Sequence, residues 1–453
     1  MKVAKFGGSS LANGEQIKKV TDIVKNDPDI RAVVVSAPGK RDDEDTKITD
    51  MLIALFTNHV TGIDTTANID SILERYINIT EELGLDSQMV NQLGDQLKTY
   101  LSTIEDPNYL LDALKSSGED FNARIIAAYF NSVGIAADYL SPKEAGITVT
   151  DQPGNASLIT SSYDEVADID VSEKVKVIPG FFGYTEDGQI ATFSRGGSDI
   201  TGAIIARGLG VDAYENYTDQ SYIYSAHPGI VSNPQPIEEI SYREMRELAY
   251  SGFGIFHAEA LSPLYEAKIP VVVRNTNDPE TPGTRIVAER KDANEQPVIG
   301  VSAEEGYMSI NLSHYLMNQE VGFLRRLLEI FEKYDISVEH MPTGIDDVSV
   351  IVRREQFKSQ TDLDNLLSEI EKIISTEILD VQENLAMAVV VGEGMKREIG
   401  TAQKATEAFV DAGVNLSMIN QGASEISIFF TIDAADKDQA IKSLYQAFFS
   451  EDK

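Results

Sequence analysis

The 453-residue chain contains no cysteine, which excludes disulfides and thiolate-bound metal. His257-Ala-Glu259 echoes the opening of a zinc-deaminase motif, but that chemistry needs cysteine ligands, so the reading fails. No run of eighteen or more apolar residues occurs, so no membrane span is expected. The N-terminus enters a strand directly with no leader pattern, so the expected location is cytoplasmic. There is also no Gly-x-x-x-x-Gly-Lys-Ser/Thr phosphate loop. Basic residues are scarce: 38 Lys and Arg face 73 Asp and Glu, a net charge of −35. That argues against a nucleic-acid partner, which needs a basic face. An anionic substrate must be gripped by local cations against the overall field, and the acidity itself reads as solubility. With 42% apolar and 25% charged residues the composition is that of a globular protein, and the length calls for two or three domains.

What the chain does carry is concentrated at two glycine-rich turns. Residues 175–179, Val-Lys-Val-Ile-Pro, are apolar and β-branched and predict a buried strand. Gly180-Phe-Phe-Gly183 follows, then Ser194-Arg-Gly-Gly-Ser-Asp199, then an apolar-periodic helix over 199–210. Glycines let a backbone approach a ligand closely, and a helix start offers free N–H groups and a positive dipole end to an anion. Arg195 adds a planar fork that grips carboxylate or phosphate through two hydrogen bonds. The plain alternative is a glycine turn with an Asp/Ser helix cap. A second element of the same kind weighs against it. Lys5-Phe-Gly-Gly-Ser-Ser10 closes a strand over 2–6 and opens a helix with Ile17 and Val20 on one face. Two phosphate-type cradles, one with Lys and one with Arg and Asp, suit phosphoryl transfer, where positioning and charge neutralisation dominate. Lys5 then stabilises charge on the moving group, and Asp199 orients the lysine or holds a metal-bound nucleotide.

Those two motifs, together with Ser117-Gly-Glu119 and Gly180-Phe-Phe-Gly183, resemble the signature set of the aspartokinases, in the amino acid kinase family. They fall in the family's order at similar separations, and the resemblance runs over essentially the whole chain. It implies an α/β fold, an open and mostly parallel sheet sandwiched by helices, followed by two ferredoxin-like α+β ACT modules. Lys5 and Asp199 become the catalytic pair. Lys5, Gly7, Gly8, Ser9, Ser36, Gly196, Gly197, Thr218, Asp219 and Tyr224 are implied at the nucleotide. Thr49, Glu119, Arg195, Ser198 and Phe181 are implied at the amino-acid substrate, with Arg195 on its α-carboxylate and Glu119 on its ammonium. The plain reading of Ser36 and Thr49 is capping. That of Glu119 is a first-turn acid on a helix starting after Ser116-Ser-Gly118. The chain also departs from the pattern. Relatives commonly read Thr-Asp-Val-x-Gly-Ile-Tyr-x-x-Asp-Pro-Arg, whereas here Gln220, Tyr222 and His227 intervene and Gly229 stands at the arginine position. Gly254, ahead of Phe256-His257, stands where some relatives carry a lysine. Two cations expected at the nucleotide are therefore absent.

In chain order, a strand over 32–35 ends in Ser36-Ala-Pro-Gly-Lys40 at a carboxyl edge, where ligands bind in open α/β sheets. Residues 41–47 form a charged loop, and a helix begins at Ile48. Helices are expected over 69–83, 89–102, 109–114 and 119–130, and strands over 136–140, 147–150, 213–217 and 270–275. The kinase-like domain spans 1–290, and the polar stretch 291–297 is a linker. Beyond it a βαββα pattern occurs twice: strands 307–312, 337–341 and 349–353 with helices 322–334 and 363–374, then strands 385–392, 417–420 and 425–432 with helices 399–412 and 437–449. These are the ACT-like modules, 298–378 and 379–453. Because such modules associate side by side, the resemblance implies a homodimer or dimer of dimers. It also implies an end-product effector, lysine or threonine, at Gly322, Phe323, Leu324, Ser337, Val338, Glu339 and Asp346. A helix start takes the effector carboxylate, and the two acids take an ammonium. The plain reading of those acids is solvated strand ends in a very acidic protein.

The function expected is that of an aspartate kinase, moving a phosphoryl group from ATP, whose Mg2+ rides on the nucleotide, to the side-chain carboxylate of L-aspartate. No protein-held metal and no nucleic-acid or membrane partner is expected. A kinase of acetylglutamate or carbamate is disfavoured by the paired modules and Glu119. A non-catalytic amino-acid sensor is motivated by Gly229 and Gly254 and opposed by Lys5 and Asp199.

Overall fold

The computed structural model describes residues 1–453 except Arg195, residues 254–257, Asn294, Ser375 and residues 451–453, and describes no side chain for Ala258 and Glu259. The readings placed on Arg195, Gly254 and His257-Ala-Glu259 therefore lie outside the described residues.

The chain forms two compact units. The first comprises Met1–Ile223, Pro236–Arg246 and Gly254–Arg290. Its eight-stranded sheet runs Glu239–Ser241, Thr284–Val287, Val271–Asn275, Ala213–Thr218, Lys2–Phe6, Ile30–Val35, Val175–Pro179, Ala137–Tyr139. The six strands from Val271–Asn275 to Ala137–Tyr139 are parallel, and Thr284–Val287 turns the edge antiparallel. Helices must then cover both faces, which is why the central strands read as unbroken apolar runs: Val33, Val34 and Val35 are fully buried. The expected strand over 147–150 is reduced to isolated bridges, Thr148 to Tyr184 and Val149 to Leu158.

The helical block differs from expectation at its most important point. Instead of separate helices over 109–114 and 119–130, one 26-residue helix runs Pro107–Ser132, capped by the Asp106 carboxylate, which accepts the Asn108 amide at 2.8 Å. Gly118 lies mid-helix, where it reads locally as a breaker. A Cβ there would come within 3.0 Å of Ala37 Cβ and 3.2 Å of Ile48 Cγ2. The glycine allows helix and loop to touch, and Tyr76 adds a hydroxyl hydrogen bond to its carbonyl at 2.8 Å. Glu119 is thus no first-turn acid, and the helix dipole does not account for it.

The second unit, Tyr224–Gln235, Glu247–Phe253 and Lys291–Lys453, is built on a five-stranded antiparallel sheet. Its order is Asp347–Arg353, Gly300–Ser313, Ile378–Val391, Ser427–Asp433, Met418–Gln421. Helices Phe323–Lys333, Gln360–Ile373, Thr401–Asp411 and Lys437–Phe449 complete the repeat. The two 14-residue strands pair with each other along their length, so both halves of the repeat share one sheet. Each half has its own core, one around Leu327, Phe331 and Leu366, the other around Ala388, Phe409 and Phe430. Val298 and Val301 belong to the second core, while Leu379 and Val381 pack against the first. The expected strand over 337–341 is reduced to one isolated bridge, His340 to Ile351, with a second, Thr343 to Val348, just beyond it.

Candidate active site

The parallel strands deliver their carboxyl ends to one edge of the sheet. Lys5 arrives on the central strand, Phe181 just after Val175–Pro179, and Asp199 as the third residue of the helix Gly197–Leu209. The Lys5 ammonium lies 2.6 Å from Asp199 Oδ1, and both residues are buried. Asn216, register partner of Lys5 on the adjacent strand, donates its amide to the same Asp199 oxygen at 3.1 Å. The buried Asn216 Oδ1 has no hydrogen-bond partner. No local signal marks Asn216, because its strand, Ala-Tyr-Glu-Asn-Tyr-Thr, also carries the buried Glu215 beside it.

Around this pair opens a cavity of ≈ 670 Å³. Its wall includes Lys5, Gly8, Ser9, Ser36, Gly196, Gly197, Ser198, Asp199 and Asp219 of the expected set, and Thr49, Glu119 and Phe181 of the expected substrate residues. Gly7, Thr218 and Tyr224 are not on that wall. Lys40, Arg41 and Lys47 are on it and were not singled out. They belong to the charged loop over 41–47 and the turn before it, whose placement depends on a distant side chain. Buried Arg75, on Thr66–Glu82, donates to the Gly39 carbonyl at 2.7 Å and the Ala12 carbonyl at 3.1 Å, and pairs with Asp45. Asp45 also takes Arg41 in a two-point contact at 2.9 Å. Arg41, then Arg75, hold the Asp45 carboxyl far below the usual range.

Two close approaches shape the cavity floor. Gly39 donates its amide to the Gly8 carbonyl at 2.9 Å, and a Cβ at Gly39 would fall 2.5 Å from the Gly8 carbonyl carbon. A Cβ at Gly197 would lie 2.6 Å from Phe181 Cδ2. Phe181 itself sits at φ +80°, in the left-handed region that non-glycine residues avoid. It is held there by its amide on Thr201 Oγ1 at 3.0 Å and by the Lys115 ammonium 5.3 Å from its ring centre.

Glu119 projects from mid-helix with 5% exposure. Burial pushes its carboxyl up to about 8, while the Ala37 amide, its own amide and the Lys115 charge pull only partly the other way. Its Oε2 has no hydrogen-bond partner. A half-satisfied buried carboxyl on a cavity wall can take a cationic partner once it is ionised. Ser36 is fixed by its carbonyl, which accepts the Asn122 amide at 2.7 Å.

At Gly229 the backbone amide donates to His227 Nδ1 at 3.0 Å. In the second unit, Gly322 precedes the helix Phe323–Lys333, and the ring of Phe323 stacks on His314 at 5.3 Å. His314 in turn donates its amide to the Asp346 carbonyl at 2.8 Å, and the Asp346 carboxylate accepts the Leu316 amide at 2.9 Å. Glu339 lies elsewhere, its amide on the Ile351 carbonyl and its carboxylate 3.7 Å from Arg353 Nε. Ser337 is tied through its amide and carbonyl to the Gln356 side chain. Glu339 stands beside Ile351 and Asp346 in the turn between Thr343 and Val348, so the structure does not bring together the two acids expected to share an ammonium.

A lysine–carboxylate pair between two glycine-rich turns, at the carboxyl edge of an open parallel sheet, is the machinery of a phosphotransferase. Residues 1–275 match the model of the amino acid kinase family, and residues 389–448 that of the ACT domain. Within that class the chain belongs to the aspartokinases, kinases with a carboxyl acceptor. Aspartokinase 3 of Bacillus subtilis (strain 168) is 46% identical over 451 residues, 99% of each chain. The crystal structure of Clostridium acetobutylicum aspartate kinase superposes with a TM-score of 0.85 at 36% identity, covering 99% of this chain and 100% of that one. The lysine-sensitive aspartokinase 3 of Escherichia coli (strain K12) is 27% identical over 99% of each chain.

Proposed function

We propose that the protein transfers the γ-phosphoryl group of Mg-ATP to the side-chain carboxylate of L-aspartate, giving 4-phospho-L-aspartate and ADP. The observation that carries this reading is the buried Lys5–Asp199 pair, 2.6 Å apart, opening onto the cavity that Glu119 also lines. Lys5 stabilises the charge that spreads over the phosphoryl oxygens, and Asp199 and Asn216 hold its ammonium in place. Backbone amides at Gly8, Ser9, Gly196 and Gly197 cradle the phosphates. Thr218, Asp219 and Tyr224 serve the rest of the nucleotide. Glu119 receives the aspartate ammonium and Arg195 its α-carboxylate, with Ser198, Thr49 and Phe181 closing the pocket. Asp199 and Asp219 offer the oxygen donors that Mg2+ prefers. Both line the cavity, and a pair of carboxylates fits a cation whose remaining ligands are nucleotide phosphates and water. When bound, Mg2+ neutralises phosphate charge. The names of the aspartokinase relatives support aspartate as the acceptor.

The test is ADP release by purified protein with Mg-ATP over a panel of amino and N-acetylamino acids, with hydroxylamine to trap an acyl phosphate. Aspartate-dependent release with a trapped hydroxamate supports the reading. Turnover with a different acid alone removes aspartate, and no nucleotide consumption with any acid leaves the amino-acid sensor.

The same proposal extends to control, with kinase chemistry in 1–290 and sensing modules at 298–378 and 379–453. Lysine or threonine binds at the start of Phe323–Lys333, where the peptide from Gly322 to Leu324 meets the carboxylate. The name of the lysine-sensitive relative favours lysine. Asp346, linked through His314 to Phe323, is better placed for the ammonium than Glu339, Ser337 or Val338. Inhibition by lysine that Asp346→Ala abolishes supports this; inhibition by neither amino acid removes it. A cytoplasmic homodimer or dimer of dimers completes the reading, checked by light scattering.

A further inference from the structure

A second cavity, ≈ 430 Å³, opens in the first unit away from the Lys5–Asp199 pair. One wall is the helix Pro107–Ser132, which contributes Ser116, Asp120 and Arg124 at four-residue spacing and so along one face. The others include Tyr139 on the edge strand, Lys143 in the following turn, Tyr100, and Tyr184 on the short hairpin after Phe181.

The polar groups of this cavity are unequally engaged. Each of its acids is engaged. Asp120 accepts Arg124 Nε at 3.1 Å on one oxygen and the Tyr139 hydroxyl on the other. Glu144 accepts the Ser141 amide at 3.1 Å and hydroxyl at 2.7 Å. Its donors are engaged only in part. The Arg124 guanidinium lies over Tyr139, 4.5 Å from the ring centre, and among the described residues its only hydrogen bond beyond Asp120 runs from Nη2 to the Tyr139 hydroxyl at 3.4 Å, so Nη1 is left to solvent or a ligand. Lys143 has no carboxylate partner among the described residues, only the Tyr184 ring at 5.9 Å. The Tyr100 hydroxyl accepts from Gln96 at 2.8 Å and keeps its own proton to give, and the Tyr184 hydroxyl has no partner among the described residues. Two cations and two phenols thus converge on a cavity whose two acids, Asp120 and Glu144, are already engaged by neighbouring donors, and spare donor capacity is left over. Donor surplus of this kind is complementary to an oxyanion.

We propose that this cavity is a second binding site, for a small anion bearing a carboxylate or phosphate group, held by Arg124 and Lys143 and by the hydroxyls of Tyr100 and Tyr184. Arg124 provides the planar fork, Lys143 the second charge, and the tyrosines limit the site to a molecule of metabolite size. An occupant presses on the helix that carries Glu119 and on the hairpin whose Phe182 adjoins Phe181, so it bears on two walls of the catalytic cavity.

The test is calorimetric titration of the full-length protein with inorganic phosphate and, separately, with succinate, which tells a phosphate ligand from a carboxylate one. Lys143→Glu is the diagnostic variant, because the side chain is exposed and its reversal leaves the core untouched. Lys5→Ala reports on the catalytic cavity. At least one anion should bind the unaltered protein. Lys143→Glu should weaken that binding about tenfold or more, the equivalent of one charge-assisted contact, and Lys5→Ala should leave it unchanged. Heat with neither anion overturns the proposal. So does binding that survives in Lys143→Glu, or that is lost in Lys5→Ala.

Discussion

Raising the pH from 7 to 9 is expected to tighten aspartate binding by about tenfold through one group, Glu119. Its carboxyl is pushed up to about 8 by burial, so one unit lower, at pH 7, roughly nine-tenths of it is protonated. A protonated carboxyl is no partner for an ammonium. Binding at pH 7 must first ionise it, at a cost of about 1.4 kcal/mol, and must release about 0.9 proton per aspartate. Above the carboxyl's own range both effects vanish, while the aspartate amino group remains charged across this interval. Calorimetric titration of the ADP-loaded protein, in two buffers of different ionisation enthalpy at pH 7 and again near 9, reads both quantities. Glu119→Gln should weaken binding and flatten its pH dependence. Stability supplies a second readout with the opposite sign. A folded-state value above the unfolded one means this group's contribution is complete below about 4.5 and is lost as pH rises through about 8. Aspartate should therefore raise Tm more at pH 8.5 than at pH 6. Proton-neutral binding at pH 7 with a flat affinity profile would refute the reasoning, since it would mean Glu119 is already charged or is not the ammonium partner.

Other substitutions separate the parts of the site. Lys5→Ala removes one preorganised cation and should lower kcat by two decades or more, about 3 kcal/mol, with an unchanged circular dichroism spectrum. Near-normal turnover from a folded variant would clear Lys5 of the role. Arg195→Lys keeps the charge but loses the fork, so steady-state kinetics should show the aspartate KM rising far more than that of ATP; the opposite ranking would assign Arg195 to the phosphates. Gly39→Ala forces a Cβ within 2.5 Å of the Gly8 carbonyl carbon and should raise the ATP KM several-fold by displacing the phosphate turn; an unaltered KM would show that the two turns move independently. Gly229→Arg should tighten ATP in a binding titration if the loop closed by His227 follows the family path, whereas unchanged affinity would mark a rebuilt loop.

What could be read in the sequence was whatever one segment encodes by itself. Lys5 and Asp199 each stand at a strand-to-helix turn whose glycines announce it, and their meeting follows once both strands are parallel and share an edge. Asn216 was invisible for the complementary reason. Its importance comes from strand order, which sets Ala213–Thr218 beside Lys2–Phe6 with Asn216 opposite Lys5, and no local pattern encodes a neighbour more than two hundred residues away. Glu119 shows the same division within one element. Ser116-Ser-Gly118 looks like a helix break, and an isolated chain would pay conformational entropy for that glycine. The helix continues because the missing side chain lets Ala37 and Ile48 pack against it, and that contact carries the turn over 36–40 to the cavity. The charged loop over 41–47 likewise became a cavity wall only through Arg75, some thirty residues on. In the second unit, periodicity revealed two βαββα repeats but not that their longest strands pair with each other, since period two tells which face a residue takes and not which strand lies beside it. The same limit separated Glu339 from Asp346. Only the bridges from His340 to Ile351 and from Thr343 to Val348 show that Glu339 stands beside Ile351 while Asp346 lies in the turn before Asp347–Arg353. Local chemistry thus names the groups able to act, and the long-range register decides which of them act together.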